Sequence, residues 1–472
     1  MKRTIITKIS TILLLIVLTS IQTPKLQAQE YNTLYWMDGI PQSSYSNPGI
    51  QPKPGFYLGF PGLSSIYFGF NNTGFAPMDL IKKDTDGTFY IDDTGFLSSL
   101  KSRNFLVAEY QHEILSFGFR SQRDYFSFNF TEKIGFRMGY PGDLMYLLIE
   151  GNNYFIEQNQ PAQLGGLGID GTLYHEIGVG YSREWTDYLT AGLRTKFLFG
   201  LGNIDFARTN LSLNTHPENY ALLFQSDLLV NTSLPFQIAP IDSLGSDNNG
   251  NEIDAIKFIT NTKNMGIAID LGGQYKINEL FTVAASVVDL GFIRWRSDAE
   301  NFAMKGAFEF DGIEVDNIFS SDDENTDTFG GLLDSIKDVF NIDETMETYR
   351  TMIPTKVFVS GAFHPTEFHK FALLGRGGFY SGNFYPSVTL SYNYQPIPQF
   401  ATTLSYSVIH GNFSNAGLGF HINLGPLQLY AVADNLIPAM RPHTLQTATV
   451  HFGLNIVTGY RHKGIAEPSF RW

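Results

Sequence analysis

The chain of 472 residues contains no cysteine. That excludes a disulfide framework, and it excludes a lipid anchor on a processed N-terminal cysteine. Charge is scarce as well: Asp, Glu, Lys and Arg make up 17% of the residues, against about 25% in an ordinary soluble domain. What charge there is leans acidic, with a formal net charge of -14. Phosphate binding needs clustered Lys and Arg, so nucleic acid is a poor partner. Long apolar runs are almost absent. The one that exists, Ile12 to Leu18 within MKRTIITKISTILLLIVLTSIQTPKLQA, follows Lys2, Arg3 and Lys8 and gives way to small and polar residues ending at Ala28. This is the plan of a secretory signal peptide over residues 1–28, too short to span a bilayer stably. Removing it takes away Lys2, Arg3, Lys8 and Lys25 and no acid, so the mature chain is more acidic still. With no second run of about 18 apolar residues, membrane insertion must be as a closed barrel.

What the chain has in abundance is aromatic and glycine residues: 40 Phe, 24 Tyr and 45 Gly. Its mean hydropathy is nevertheless -0.09, because apolar and polar residues are interleaved. In YFSFNFTEKIGFRMGY, residues 125–140, the even positions Phe126, Phe128, Phe130, Ile134, Phe136 and Met138 are large and apolar. The odd positions Ser127, Asn129, Thr131, Lys133, Gly135 and Arg137 are small, polar or charged. A period of two means extended strand. NMGIAIDLGGQYK (264–276) and LTAGLRTKFLFG (189–200) repeat the pattern. PSVTLSYNYQ, FATTLSYSV, NAGLGFHINLG and TATVHFGLNIV follow one another across short turns, as hairpins do.

Some seventeen segments between residues 55 and 458 read as strands, including separate ones at 187–200 and 203–213. A single-chain bacterial barrel has an even number, so 14 strands are expected, or 16. Three longer connections interrupt them: 140–168 with the helix-like DLMYLLIEG, the acidic 232–263, and 313–350 with a helical spacing over 329–340. On this strand count the three do not all fall on one rim. The fold class expected is all-β, a transmembrane antiparallel barrel over 55–472. Residues 29–54 form a plug-like or periplasmic segment before it, and a few short helices lie in its loops.

A soluble sandwich alternates too, so the content of the faces has to decide. Gly, Ser, Thr and Asn dominate the polar face, with Lys133, Arg137, Glu176, Arg194, Lys196, Asp270 and Arg376 in strand interiors. A Lys or Arg on the lipid side near the midplane costs roughly 2–4 kcal/mol, so a charge-poor apolar face suits lipid. Tyr140, Tyr181, Tyr275 and Tyr394 fall near strand ends, where an interfacial girdle would want them.

YSNPGIQP with Asn47 and Pro48, DLGFIRW (289–295), GPLQLYAVADN (425–435) and HFGLN (451–455) carry a family resemblance. The chain resembles, over nearly all of its mature length, a Bacteroidota family of outer-membrane barrels known only as a domain of unknown function. It is distantly similar to the long-chain fatty-acid transporter (FadL-like) barrels, which have an Asn-Pro-Ala segment after an N-terminal plug. Gly49 stands here in place of that Ala. The resemblance implies an outer-membrane barrel and lends no catalytic or binding residues.

Seven charged residues are thus candidate lumen-lining groups: Lys133, Arg137, Glu176, Arg194, Lys196, Asp270 and Arg376. They read either as a selectivity lining or as cross-strand pairs that fill a closed lumen. Asn47 and Pro48 mark the candidate plug. The acidic SDNNGNEID and SSDDENTD lack the spacing of a calcium loop and read as solvated loops. No defensible Ser–His dyad, zinc-type cluster or phosphate-cradling loop stands out, so neither enzyme activity, cofactor nor metal is expected. The partners expected are outer-membrane lipid and a small or hydrophobic solute, with passive passage or binding as the function. The alternative is a non-transport scaffold of an export or surface-assembly machine, meeting an envelope protein through 313–350.

Overall fold

The computed structural model describes residues 31–235, 258–310, 342–380, 383–409 and 412–459. The signal-peptide segment, both acidic stretches and the helical spacing at 329–340 lie outside them. In chain order, β1 (Phe56–Gly59) and β2 (Ser65–Asn72) are two halves of one broken strand, and β3 (Ile81–Lys83) with β4 (Phe89–Ile91) makes a separate small hairpin. Next come β5 (Arg103–Ser121), β6 (Asp124–Pro141), the two-residue β7 (Ala162–Gln163), β8 (Gly168–Glu184) and β9 (Leu189–Thr215). They are followed by β10 (Leu222–Ser233), β11 (Asn264–Lys276), β12 (Phe281–Trp295), β13 (Ala299–Phe310), β14 (Ile342–Thr345) and β15 (Tyr349–Met352). The last group is β16 (Thr355–Phe363), β17 (His369–Tyr380), β18 (Asn383–Ile397), β19 (Phe400–Ile409), β20 (Asn412–Leu424), β21 (Leu427–Ala433) and β22 (Thr447–Thr458).

Fourteen of these staves close into an antiparallel barrel. Closure comes from β22, which pairs with both β1 and β2. One rim carries the short connections 122–123, 185–188, 277–280, 364–368, 398–399 and 425–426. The described ends of all three long segments lie toward the opposite rim, contrary to the sequence-based count. The miscount has a simple origin: 187–200 and 203–213 are one strand, the 27-residue β9. Its lower half pairs with β8 and β11, while its upper half rises past the rim and pairs with β10. β13 then pairs with β10, β14 with β13, and the two-residue β7 with the upper half of β9, so five strands stand as a sheet above the mouth. DLMYLLIEG forms the helix Gly142–Ile149, followed by a second at Asn153–Gln158.

The two faces separate as the alternation requires. On β6, Phe126 and Ile134 are each 39% exposed, whereas Asn129 is 2% and Thr131 6% exposed. Apolar side chains therefore line the outside and polar ones the inside, the reverse of a soluble protein and the arrangement a bilayer demands. Tyr181 and Tyr275 are exposed near the short-turn rim. Tyr140 departs from the girdle expected for it: it is buried, its hydroxyl donates to Asn72, and its ring meets Phe75 where the 73–102 loop folds over it.

Candidate functional site

Residues 31–54 run inside the barrel without pairing to any strand. Two short 3-10 turns, Leu34–Trp36 and Pro41–Tyr45, shape the path, the second begun by a proline whose fixed φ suits a first helical position. Polar groups here are as buried as apolar ones: Thr33, Gln42, Ser43, Ser46 and Asn47 are all 0% exposed. Buried polar groups need partners, and the wall supplies many of them, although the Ser43 hydroxyl has none among the described residues. The Thr33 amide donates to Asp434 (2.7 Å), Lys370 Nζ to the Trp36 carbonyl (2.8 Å), Gln428 Nε2 to the Gly39 carbonyl (2.9 Å) and Ser286 Oγ to the Ser46 carbonyl (2.6 Å). Apolar contacts add to these. Tyr35, Trp36 and Ile50 pack with Val288, Phe358 and Leu374, and Leu34, Met37 and Ile40 pack with Tyr430 and Val432.

Asn47, Pro48 and Gly49 press against a glycine patch. The Asn47 side chain donates to the Tyr35 hydroxyl (3.0 Å) and accepts from the Gly49 amide (2.8 Å). A Cβ on Gly272 would collide with Asn47, and one on Gly192 with the Pro48 carbonyl. A Cβ on residue 49 would lie 2.5 Å from Gly273 Cα, a distance real Cβ atoms do not reach. Gly in place of Ala at this position is therefore a requirement of the close approach.

Beside this turn lies a belt of opposite charges on neighbouring staves. Lys133 of β6 meets Glu176 of β8 at 2.8 Å; Lys196 of β9 meets Asp270 of β11 at 2.8 Å and Asp289 of β12 at 2.5 Å. Lys356 of β16 reaches Asp289 at 3.2 Å. Asp289 owes its place to a bulge between β11 and β12, where it takes φ 60°. Such bulges re-aim one side chain, and Asp tolerates the left-handed region better than most residues. Arg194 places its guanidinium 4.1 Å from the centre of the Tyr45 ring and donates to Ser127 Oγ (3.3 Å). The Tyr45 hydroxyl donates to Glu113, and burial together with that carboxylate holds the phenol well above its usual pKa.

All seven charged candidates lie on the inner wall, and the belt unites Lys133, Glu176, Lys196 and Asp270, with Arg194 beside it. Arg137 lies apart, near the long-loop rim, 3.7 Å from Asp170 and over the rings of Phe105 and Tyr380. Arg376 is buried on β17. Sequence reasoning missed Asp289, Lys356, Glu113, Gln42 and Tyr45. Lys356 had a signal, since it shares a strand face with Phe358 and Ser360, which also point inward. Asp38 completes the inner set, between Lys53 (3.2 Å) and Lys370 (3.3 Å). Burial opposes its ionisation, but the two ammonium groups outweigh that and hold the carboxyl well below the usual carboxylate range.

At the long-loop rim the chemistry changes. Phe155, Ala162 and Leu164 are buried among Leu144, Tyr146, Leu147 and Tyr154 of the two rim helices and Leu211, Leu213 and Phe224 of the raised sheet. The rim helices thus pack on the raised sheet through an apolar cluster, above a lumen occupied by residues 31–54.

The model of a family of unknown function (DUF5723) matches residues 48–434. No curated protein matches the chain. Among solved structures, the toluene transporter TbuX of Ralstonia pickettii is similar at 8% identity and TM-score 0.41, over 89% of this chain and 94% of that one. A Pseudomonas aeruginosa FadL homologue is similar at 8% identity and TM-score 0.41, over 92% and 99%. The Pseudomonas putida toluene transporter TodX is similar at 9% identity and TM-score 0.36, over 92% and 93%.

Proposed function

The chain belongs to that family of unknown function, and we propose that it is an outer-membrane barrel whose lumen passes or binds a small or hydrophobic solute, gated by residues 31–54. The observation that carries this is topological. The inner segment touches the wall on many staves yet belongs to none of them, and β22 closes the barrel on β1 and β2 without it. Its displacement would open a passage while leaving every ladder intact. A barrel meant only to be solid would gain more by tying that segment into the sheet.

A hydrophobic cargo is supported by the mouth, where aromatic and aliphatic side chains of the rim helices and raised sheet gather. The charged belt below is neutralised pair by pair, so it offers no strong field to a small ion. The experiment is conductance in planar bilayers together with solute uptake by vesicles, comparing the mature chain with one lacking residues 29–54. Deletion should raise the current several-fold. Equal current and equal uptake in the two proteins would end the gating proposal.

A further inference from the structure

The outer wall breaks its own rule at one height. Within the apolar set of β6 stands Glu132, between the outward Phe130 and Ile134. It pairs in register with His112 of β5 on one side and His175 of β8 on the other, so three titratable groups form one outward row across three staves. Among the described residues, no other charged or imidazole side chain faces outward in the middle of a barrel strand. Glu132 has no hydrogen-bond or ion-pair partner there. His112 donates a ring N–H to the Gly62 carbonyl (2.9 Å), which leaves its other ring nitrogen available.

The same face also has relief. The break between β1 and β2 throws out a turn whose Phe60 and Leu63 are each 43% exposed. Next to it, between β2, β5, β6 and β22, runs an apolar groove of about 340 Å³ lined by Phe68, Tyr110, Ile134, Phe136 and Val450. A carboxylate turned toward hydrocarbon is costly unless it is paired, and ionisable groups at such depth mark function.

We propose that this face docks a second copy of the chain. A two-fold axis along the membrane normal keeps each residue at its own height. If it runs between β5 and β6, it sets Glu132 of each copy against His112 of the other, giving two imidazole–carboxylate contacts from one row. The His–Glu sequence is self-complementary under that rotation, which an isologous interface requires. Polar groups that bond across such interfaces act as glue in lipid. The pairing is separate from solute passage, and either could fail alone.

The absence of cysteine makes the test clean. In native membranes, Tyr110→Cys on the proposed face and Leu404→Cys on β19 are oxidised and compared. Self-dimers should form several-fold more from the first. Glu132→Leu in the Tyr110→Cys background should lower that yield to the level of the control, and exchange of the pair (His112→Glu with Glu132→His) should restore it. Equal yields from both cysteine sites, a Tyr110→Cys cross-link only to some other chain, or a yield unmoved by Glu132→Leu would overturn the proposal. If Glu132→Leu fails to give a heat-modifiable folded band, the two cysteine variants decide by themselves.

Discussion

Gln42 of the inner segment and Asn455 of β22 hold each other by two reciprocal amide hydrogen bonds. Gln42 Nε2 donates to Asn455 Oδ1 at 2.9 Å, and Asn455 Nδ2 donates back to Gln42 Oε1 at 3.0 Å. Both residues are 0% exposed, so neither amide has water as an alternative. Asn455→Leu leaves the Gln42 amide short of a partner, at a cost of about 1–3 kcal/mol. If the inner segment is a gate, that cost falls on its seated state. Single-channel recording should then show a higher open fraction, by roughly tenfold for each 1.4 kcal/mol. An unchanged open fraction would mean that the pair does not hold the segment in place.

Lys196 is the hub of the charged belt, since it alone faces both Asp270 and Asp289. Lys196→Met removes one cation, which leaves the buried Asp270 without its ion pair and Asp289 with Lys356 alone. Breaking a buried pair from one side typically costs about 3–5 kcal/mol. Guanidinium unfolding in lipid vesicles should show that loss. Lys356 still faces Asp289, which places the expected value toward the lower end of that range.

Much of this architecture was legible because strand alternation is a local property. The phase of Phe126 against Ser127, or of Leu193 against Arg194, needs no knowledge of the partner strand, and it put all seven charged candidates on the inner wall. What alternation cannot carry is pairing. β9 alternates through its whole length, but only its neighbours reveal that the upper half belongs to the raised sheet and not to the barrel. Asp289 sits beside Lys196 because of a one-residue bulge, which changes phase without any turn residue to announce it. Gln42 and Asn455 are 413 positions apart, and nothing local to either marks the contact. Glu132 stands between Phe130 and Ile134 in the apolar phase and was passed over, and its two imidazole neighbours emerged only with the register.

The Asn47-Pro48-Gly49 turn gives a prediction with an internal control. Gly272 lies where any side chain would meet Asn47, whereas a Cβ on Gly361 has only the Thr282 carbonyl, at 3.9 Å, within reach. Gly272→Val should lift the turn off the wall and raise conductance. Gly361→Val should insert and conduct like the parent. Equal behaviour of the two would show that the turn's contact with β11 plays no part in closure.

Asp38 predicts how acid acts on the inner segment. Its carboxyl lies between Lys53 and Lys370, and the ammonium groups hold its pKa below that of a free Asp. A group whose pKa is lowered in the seated state stabilises that state fully above the free value, about 3.9. The contribution is lost only as pH falls through the lower, seated value. Acidification from pH 7 to about pH 4.5 should therefore leave this anchor in place, and release through Asp38 should begin only in stronger acid. Asp38→Asn removes the anchor at every pH, so it should raise the neutral-pH current and flatten the acid response below about pH 4. Current that rose between pH 7 and pH 5 in the parent and equally in Asp38→Asn would assign the anchor to some other group.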